Sequence, residues 1–153
     1  MKSALESIVR YVPVSESLAT AGQPSEEQLA AVAEAGFEVV VNLALHNDPR
    51  YALKDEAGTV ASLGMQYVHI PVQFSAPCAS DLAAFFDAIE RAGPHKVFVH
   101  CAHNKRVPVF IALHRIIKQG WSEAEAFAAM HEVWQPDATW EKFIAQALRH
   151  VGR

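Results

Sequence analysis

The residues with the clearest capacity for chemistry lie in one short stretch, Val97-Phe98-Val99-His100-Cys101-Ala102-His103-Asn104-Lys105-Arg106-Val107. Its apolar start predicts a buried strand that ends at Cys101, and the apolar run after it predicts a buried helix. We call residues 101–107 the Cys101 loop. A helix N-terminus carries unpaired N–H groups and a partial positive charge. Together with the basic side chains of Lys105 and Arg106, this field favours a thiolate at Cys101, the nucleophilic form of cysteine.

The same loop is predicted to bind a small oxyanion. Backbone N–H groups at the start of a helix bind anions, and a guanidinium can donate to two oxygens at once. The predicted oxyanion-binding residues are Ala102, His103, Asn104, Lys105, Arg106 and Val107. Such a loop usually needs one residue at positive φ. This loop has no glycine, so Asn104, the next most tolerant residue type, is expected there.

A second interpretation of the same residues is structural. Cysteine is among the most frequently buried residue types, so a cysteine at a strand end is usually part of the packing. His100 is interpreted as a core histidine that bonds a backbone group. The eight histidines show no metal-ligand spacing, and Cys78 and Cys101 form no disulfide framework. We therefore expect neither a metal nor a cofactor.

The elements that must position the loop alternate along the chain. Apolar runs predict an edge strand at 11–14, where Pro13 suits an edge, and buried strands at 37–45, 65–72 and 96–100. Helices are predicted at 25–35, 55–63, 80–92, 107–119, 122–133 and 138–150. This pattern predicts an α/β domain with a mostly parallel central sheet flanked by helices and a helical C-terminal part. Right-handed crossovers would bring the strand-to-helix loops to one sheet edge.

Length and composition restrict the class of protein. The 153 residues, 51% hydrophobic and 20% charged, predict a single globular domain over 1–153. A net charge of −4 gives no general attraction to nucleic acid or to an anionic membrane. No apolar run reaches the roughly 18–20 residues of a membrane span. The first residues lack the apolar core of a signal peptide, so the predicted location is the cytoplasm.

The chain resembles the bacterial members of the cysteine-dependent protein tyrosine and dual-specificity phosphatase superfamily. The resemblance covers most of the chain and is carried by Leu18-Ala19-Thr20-Ala21-Gly22-Gln23-Pro24-Ser25, Val39-Val40-Val41-Asn42-Leu43, Ile70-Pro71-Val72, and His100-Cys101 with Arg106. It implies a phosphatase-like fold with a parallel or mixed sheet. It also implies a cysteinyl-phosphate intermediate, an arginine that clamps phosphate, and no metal.

Three features depart from the family pattern: the arginine spacing, the hydroxyl after it and the general acid. The family signature is His-Cys-x5-Arg followed by Ser or Thr, whereas Arg106 stands one residue closer to Cys101, and Val107 and Pro108 occupy the arginine and hydroxyl positions. The general acid of similar phosphatases is an Asp directly after the strand equivalent to 66–72, and here that place holds Gln73 and Phe74. Asp81 is the first candidate for the acid and Asp48 the second.

The resulting prediction is a phosphatase that hydrolyses a phosphomonoester, such as phosphotyrosine, through Cys101 and Arg106 with Asp81 as the acid. Its expected partner is a phosphate-bearing small molecule or a phosphoprotein. Two alternatives stay open. A sulfurtransferase-like activity fits the short Cys-x4-Arg spacing, and a pseudophosphatase would bind an oxyanion or a phosphorylated partner without turnover. Cys78 is interpreted as a free loop thiol, with an oxidative bridge to Cys101 as the alternative.

Overall fold

The protein is described by a computed structural model that covers residues 5–45 and 53–150. These residues form five strands: β1 (Val12–Ser15), β2 (Leu18–Ala21), β3 (Val39–Asn42), β4 (Gln66–His69) and β5 (Val97–His100). They also form six helices: α1 (Glu26–Glu34), α2 (Glu56–Ser62), α3 (Ala79–Ala92), α4 (Arg106–Ile117), α5 (Glu123–Val133) and α6 (Ala138–His150). None of these helices is long and apolar enough to cross a bilayer.

The strands make one sheet in the order β1-β2-β5-β3-β4. Only β1 runs antiparallel, and the pairs β2–β5, β5–β3 and β3–β4 are all parallel. The α/β class with a mostly parallel sheet and a helical C-terminal part is therefore confirmed. The edge position of β1 is confirmed as well, and its register shifts beside Pro13, a residue that cannot donate to the ladder.

Two strand predictions were incomplete. No strand was predicted at β2, because its sequence Leu-Ala-Thr-Ala lacks the run of large β-branched residues that marks a strand. β4 was predicted as a buried strand, but it is an edge strand with Gln66 exposed and its other residues partly buried. The difference arises because β4 pairs with β3 alone.

Alternation along β5 assigns its residues to two layers. Val97, Val99 and Cys101 belong to a hydrophobic core shared with α3, α4, α5 and α6. Phe98 belongs to the smaller core shared with α1 and α2. Successive side chains of a strand point to opposite faces, so His100 lies on the α1–α2 side and Cys101 on the α3–α6 side. This division places the two residues of the His-Cys pair in different environments.

The first two helices begin at capping residues. Ser25 caps α1 and forms a capping box with Gln28. Asp55 caps α2 by accepting from the Gly58 N–H at 3.0 Å. Helix α4 begins at Arg106, one residue before the predicted start.

Candidate functional site

The Cys101 loop follows the central strand of the sheet. In the register, His100 lies between Ala21 of β2 and Asn42 of β3. The Cys101 N–H donates to the Ala21 carbonyl at 3.3 Å, and the Leu43 N–H donates to the His100 carbonyl at 2.8 Å. The start of the loop is thus held from both sides at the edge where three parallel strands end.

Cys101 is buried, with 1% of its surface exposed. The residue lies at the base of the loop, against the larger core, as the structural interpretation of a cysteine at a strand end expects. The reason is strand alternation, since Cys101 continues the inward row of Val97 and Val99. Both cysteines are free thiols, and Cys78, unlike Cys101, is exposed.

Backbone donors surround the start of α4. Lys105 is its N-cap residue and offers no side-chain cap. Within residues 5–45 and 53–150, the amides of Ala102, Asn104 and Lys105 donate no hydrogen bond. The first-turn N–H groups of a helix also have no intrahelical acceptor. Pro108, the third helical residue, lacks an N–H and is tolerated there because that group would be unpaired in any case.

Arg106 is placed at the first position of α4. Its guanidinium carbon lies 5.5 Å from the centre of the Phe74 ring, which is a cation–π distance. Its Nε is buried and has no hydrogen-bond partner among the described residues. A buried charged donor without an acceptor is unfavourable. This nitrogen is therefore suited to an anion that approaches the helix start.

Asn104 adopts the backbone conformation expected for it, with φ of 56°. Its side chain is fully buried. The Nδ2 group donates to the Arg10 carbonyl at 2.9 Å and to the Thr20 hydroxyl at 3.1 Å. Asn104 therefore fixes the turn of the Cys101 loop to β2 and to the segment before β1.

The turn between β2 and α1 supports the loop from the other side. The Gln23 N–H donates to the Ala102 carbonyl at 2.9 Å, and the Gly22 N–H donates to the Val9 carbonyl at 2.8 Å. A Cβ atom at position 22 would lie 2.6 Å from the Ala102 oxygen and 2.7 Å from a methyl of Val9. Glycine is required at this position because the two backbones approach so closely.

A chain of polar contacts lies on the other face of β5. His100 Nε2 is 2.6 Å from Glu56 Oε2, and both residues are buried. Gln23 Nε2 donates to Glu56 Oε1 at 2.8 Å. His100 Nδ1 is 3.3 Å from the Cys101 carbonyl oxygen, which agrees with its interpretation as a core histidine. Sequence reasoning missed Glu56, because an acid in the first turn of a helix looks like an ordinary dipole-favoured residue.

Tyr67 of β4 lies near this chain. Asn42 Nδ2 donates to its hydroxyl at 2.9 Å. Burial raises the pKa of Tyr67 strongly, the bond from Asn42 lowers it, and the charge of Glu56 raises it further. The phenol is therefore held in its neutral form at all ordinary pH values.

The predicted acid, Asp81, lies in the first turn of α3. Its Oδ2 accepts from the Cys78 N–H at 3.3 Å and from the Cys78 thiol at 3.1 Å. These contacts give Asp81 a role at the helix start, and its catalytic role stays a prediction. Asp48, the second candidate, lies outside the described residues.

The fold is that of the dual-specificity and protein tyrosine phosphatase class. Residues 12–146 match the family described as DSP-PTPase phosphatase fused to NAD+ kinase, and the chain belongs to that family. The resemblance inferred from the sequence is thereby confirmed.

Two solved structures illustrate the similarity. A DUF442 protein of Shewanella putrefaciens CN-32, named as a candidate phosphatase, is 29% identical with a TM-score of 0.85, covering 98% of each chain. TpbA of P. aeruginosa, crystallised in complex with pTyr, is 17% identical with a TM-score of 0.66, covering 94% of this chain and 83% of that one. The second likeness establishes a shared fold.

A longer curated relative matches this chain over part of its length. The Beta-lactamase hydrolase-like protein of Xylella fastidiosa strain 9a5c is 28% identical over 127 residues, which is 80% of this chain and 29% of the relative. The chain thus matches less than a third of that protein.

Proposed function

We propose that this chain hydrolyses a phosphomonoester through a covalent intermediate on Cys101. The Cys101 thiolate attacks phosphorus, an S–P bond forms and the bond from phosphorus to the leaving oxygen breaks. Water then attacks the phosphocysteine, releasing inorganic phosphate and restoring the thiolate. The observation that carries this proposal is the buried Arg106 Nε without a partner among the described residues, at the start of α4, the first helix after the cysteine.

Arg106 and the loop amides would act on the transferred phosphoryl group. The guanidinium and the N–H groups of Ala102, Asn104 and Lys105 are donors available for the equatorial oxygens. The low exposure of Cys101 is compatible with this role, because a loop that wraps an anion also covers the sulfur beneath it. His103 and Val107 complete the proposed oxyanion-binding set.

An aryl phosphate, such as phosphotyrosine, is the proposed substrate class. Phe74 lies against Arg106 and offers an aromatic wall beside the proposed phosphate position. The place of the usual acid holds Gln73 and Phe74, so a leaving group that needs little protonation is favoured. Asp81 is proposed as the acid for poorer leaving groups, which requires it to leave its contacts with Cys78. A likeness of fold to TpbA, crystallised with pTyr, supports this choice.

Hydrolysis of p-nitrophenyl phosphate tests the proposal. We expect the parent chain to release phosphate, Cys101→Ser to be inactive, and Arg106→Met to lower kcat/KM by about 10²–10³-fold. Cys78→Ser, which changes the other cysteine, serves as the matched control and should keep the parent rate. Hydrolysis that survives Cys101→Ser contradicts the proposal.

A second candidate function is oxyanion binding without turnover. The burial of Cys101, together with Pro108 at the position of the family hydroxyl, favours it. Phosphate or vanadate that raises the unfolding temperature of the parent, with no hydrolysis of any aryl phosphate, would establish this alternative. Sulfur transfer from thiosulfate to cyanide would instead support the sulfurtransferase-like activity that the short Cys-x4-Arg spacing suggests.

A further inference from the structure

The polar chain beneath the Cys101 loop has an acid that the reaction itself does not use. Glu56 lies in the first turn of α2 and is 2% exposed. Its two oxygens have different partners: Oε2 contacts His100 Nε2 at 2.6 Å, and Oε1 accepts from Gln23 Nε2 at 2.8 Å. A buried carboxylate is costly unless it is paired and hydrogen-bonded, and both conditions are met here.

The geometry restricts where the protons of His100 lie. A carbonyl oxygen only accepts, so the Nδ1 atom that contacts the Cys101 carbonyl at 3.3 Å must carry a proton. On the other side of the ring, Nε2 lies 2.6 Å from Glu56 Oε2, a distance at which a ring nitrogen and a carboxyl oxygen share one proton. Without Glu56, Nε2 of His100 would have no fixed partner. A neutral ring could then carry its single proton on Nε2 instead of on Nδ1.

We propose that Glu56, oriented by Gln23, is a positioning residue for the Cys101 loop. Glu56 keeps a proton on His100 Nδ1. Nδ1 donates this proton to the Cys101 carbonyl, and the hydrogen bond fixes the peptide group where β5 joins the Cys101 loop. Gln23 contributes twice, because its backbone N–H also donates to the Ala102 carbonyl one residue further along the loop. The inference rests on the proposed function, in which Cys101 is the reacting group.

Two substitutions of Glu56 distinguish the effect of its charge from its effect on which His100 nitrogen carries the proton. In Glu56→Gln, Gln23 donates to the amide oxygen, so the new NH₂ group faces His100 and donates to Nε2. The ring is then neutral but keeps its proton on Nδ1. In Glu56→Met, a side chain of similar length offers no polar atom, and the proton position is no longer fixed.

The first measurement is ¹⁵N NMR of the His100 ring near neutral pH, which reports the nitrogen that carries a proton. We expect a protonated Nδ1 in the parent and in Glu56→Gln, and loss of that signature in Glu56→Met. A parent chain in which Nδ1 carries no proton overturns the inference, and this result needs no variant to fold. Movement of the proton to Nε2 in Glu56→Gln overturns the inference as well.

The second measurement is the rate of Cys101 alkylation by iodoacetamide, in a Cys78→Ser background so that one thiol reacts. We expect Glu56→Gln to stay within about threefold of the parent and Glu56→Met to slow alkylation about tenfold, the size of one lost hydrogen bond to a charged group. If Glu56 only stabilised the fold, its loss would loosen the Cys101 loop and expose the Cys101 sulfur. Faster alkylation in Glu56→Met therefore overturns the inference.

Glu38→Gln provides the control. Glu38 pairs with His95 on the surface, where both side chains are 56% exposed, so the same substitution is made at a second Glu–His pair away from the loop. It should change neither the His100 spectrum nor the alkylation rate. Neither readout requires phosphatase activity. An inactive parent chain would therefore count against the proposed function, while the His100 spectrum still decides the role of Glu56.

Discussion

Asn104 shows how one residue type shapes the candidate site. Its φ of 56° is a conformation that costs most L-residues roughly 1–2 kcal/mol, and asparagine less. Its buried Nδ2 meanwhile binds Arg10 and Thr20, which belong to parts of the chain far away in sequence. The residue therefore supplies both the turn and its attachment.

Substitutions of Asn104 should separate these two contributions. Asn104→Ala loses both hydrogen bonds and strains the backbone, so we expect it to lower the free energy of unfolding by about 3 kcal/mol. Asn104→Gly loses the same bonds without the strain and should cost about 1 kcal/mol less. Urea unfolding measures both values. Equal costs for the two variants would contradict a strained turn.

At this scale the sequence predicted some roles and missed others. Asn104 was predictable because a glycine-free loop leaves few residue types for positive φ. Glu56 was not predictable, because its partners His100 and Gln23 come from other elements and meet it only in the folded chain. The burial of Cys101 follows from strand alternation, because the residue continues the inward row of Val97 and Val99.

Among the elements, the segment after β4 is attached to helix α6. Trp140 of α6 is fully buried, and its Nε1 donates to the Phe74 carbonyl at 2.8 Å. The Phe74 ring also packs against the rings of Trp134 and Trp140, at centre distances of 5.6 and 5.7 Å. The C-terminal helix thus holds the residue that lies against Arg106.

Trp140→Phe tests this attachment. The variant leaves the Phe74 carbonyl without its donor and opens space in the core, so we expect a loss of about 2 kcal/mol of unfolding free energy. We also expect a higher KM for p-nitrophenyl phosphate, because Phe74 would no longer hold Arg106 in place. Trp121→Phe, at a partly buried tryptophan that stacks on Arg115, is the control. An unchanged KM in Trp140→Phe would show that α6 does not influence the position of Arg106.

Element predictions succeeded where the pattern was local and failed where it was not. The predicted helix ranges 25–35, 55–63 and 107–119 agree with α1, α2 and α4 within a residue or two. Strand β2 was not predicted because its small residues carry no strand pattern of their own. They form a strand by hydrogen bonding to β5. The edge position of β4 likewise depends on strand order, which local periodicity does not encode.

At the scale of the whole molecule, we expect the free energy of unfolding to fall as the pH becomes acidic. Burial lowers the pKa of His114 below its ordinary value of 6.5, the charges of Lys118 and Arg115 lower it further, and Glu90 opposes them. The unfolded chain therefore binds a proton more readily than the folded one. The stabilising contribution of neutral His114 is present above pH 6.5 and is lost as the pH falls through the folded-state value.

Chemical unfolding across this pH range checks the prediction. We expect the free energy of unfolding of the parent to decline as the pH falls from about 6.5, and His114→Gln to show a shallower decline. The exposed His131→Gln should follow the parent curve. Parallel curves for the parent and His114→Gln would show that this ring does not contribute.

The strand order also has a consequence for how the chain acquires its site. Strand β5, which precedes Cys101, lies between β2, near the beginning of the chain, and β3, and both pairings are parallel. Contacts between such distant segments require closure of large loops and form slowly. During synthesis, β2 and β3 have no strand to pair with between them until residues 97–107 have emerged, and the proposed anion site forms only then. Refolding experiments should therefore recover helical signal before they recover affinity for phosphate.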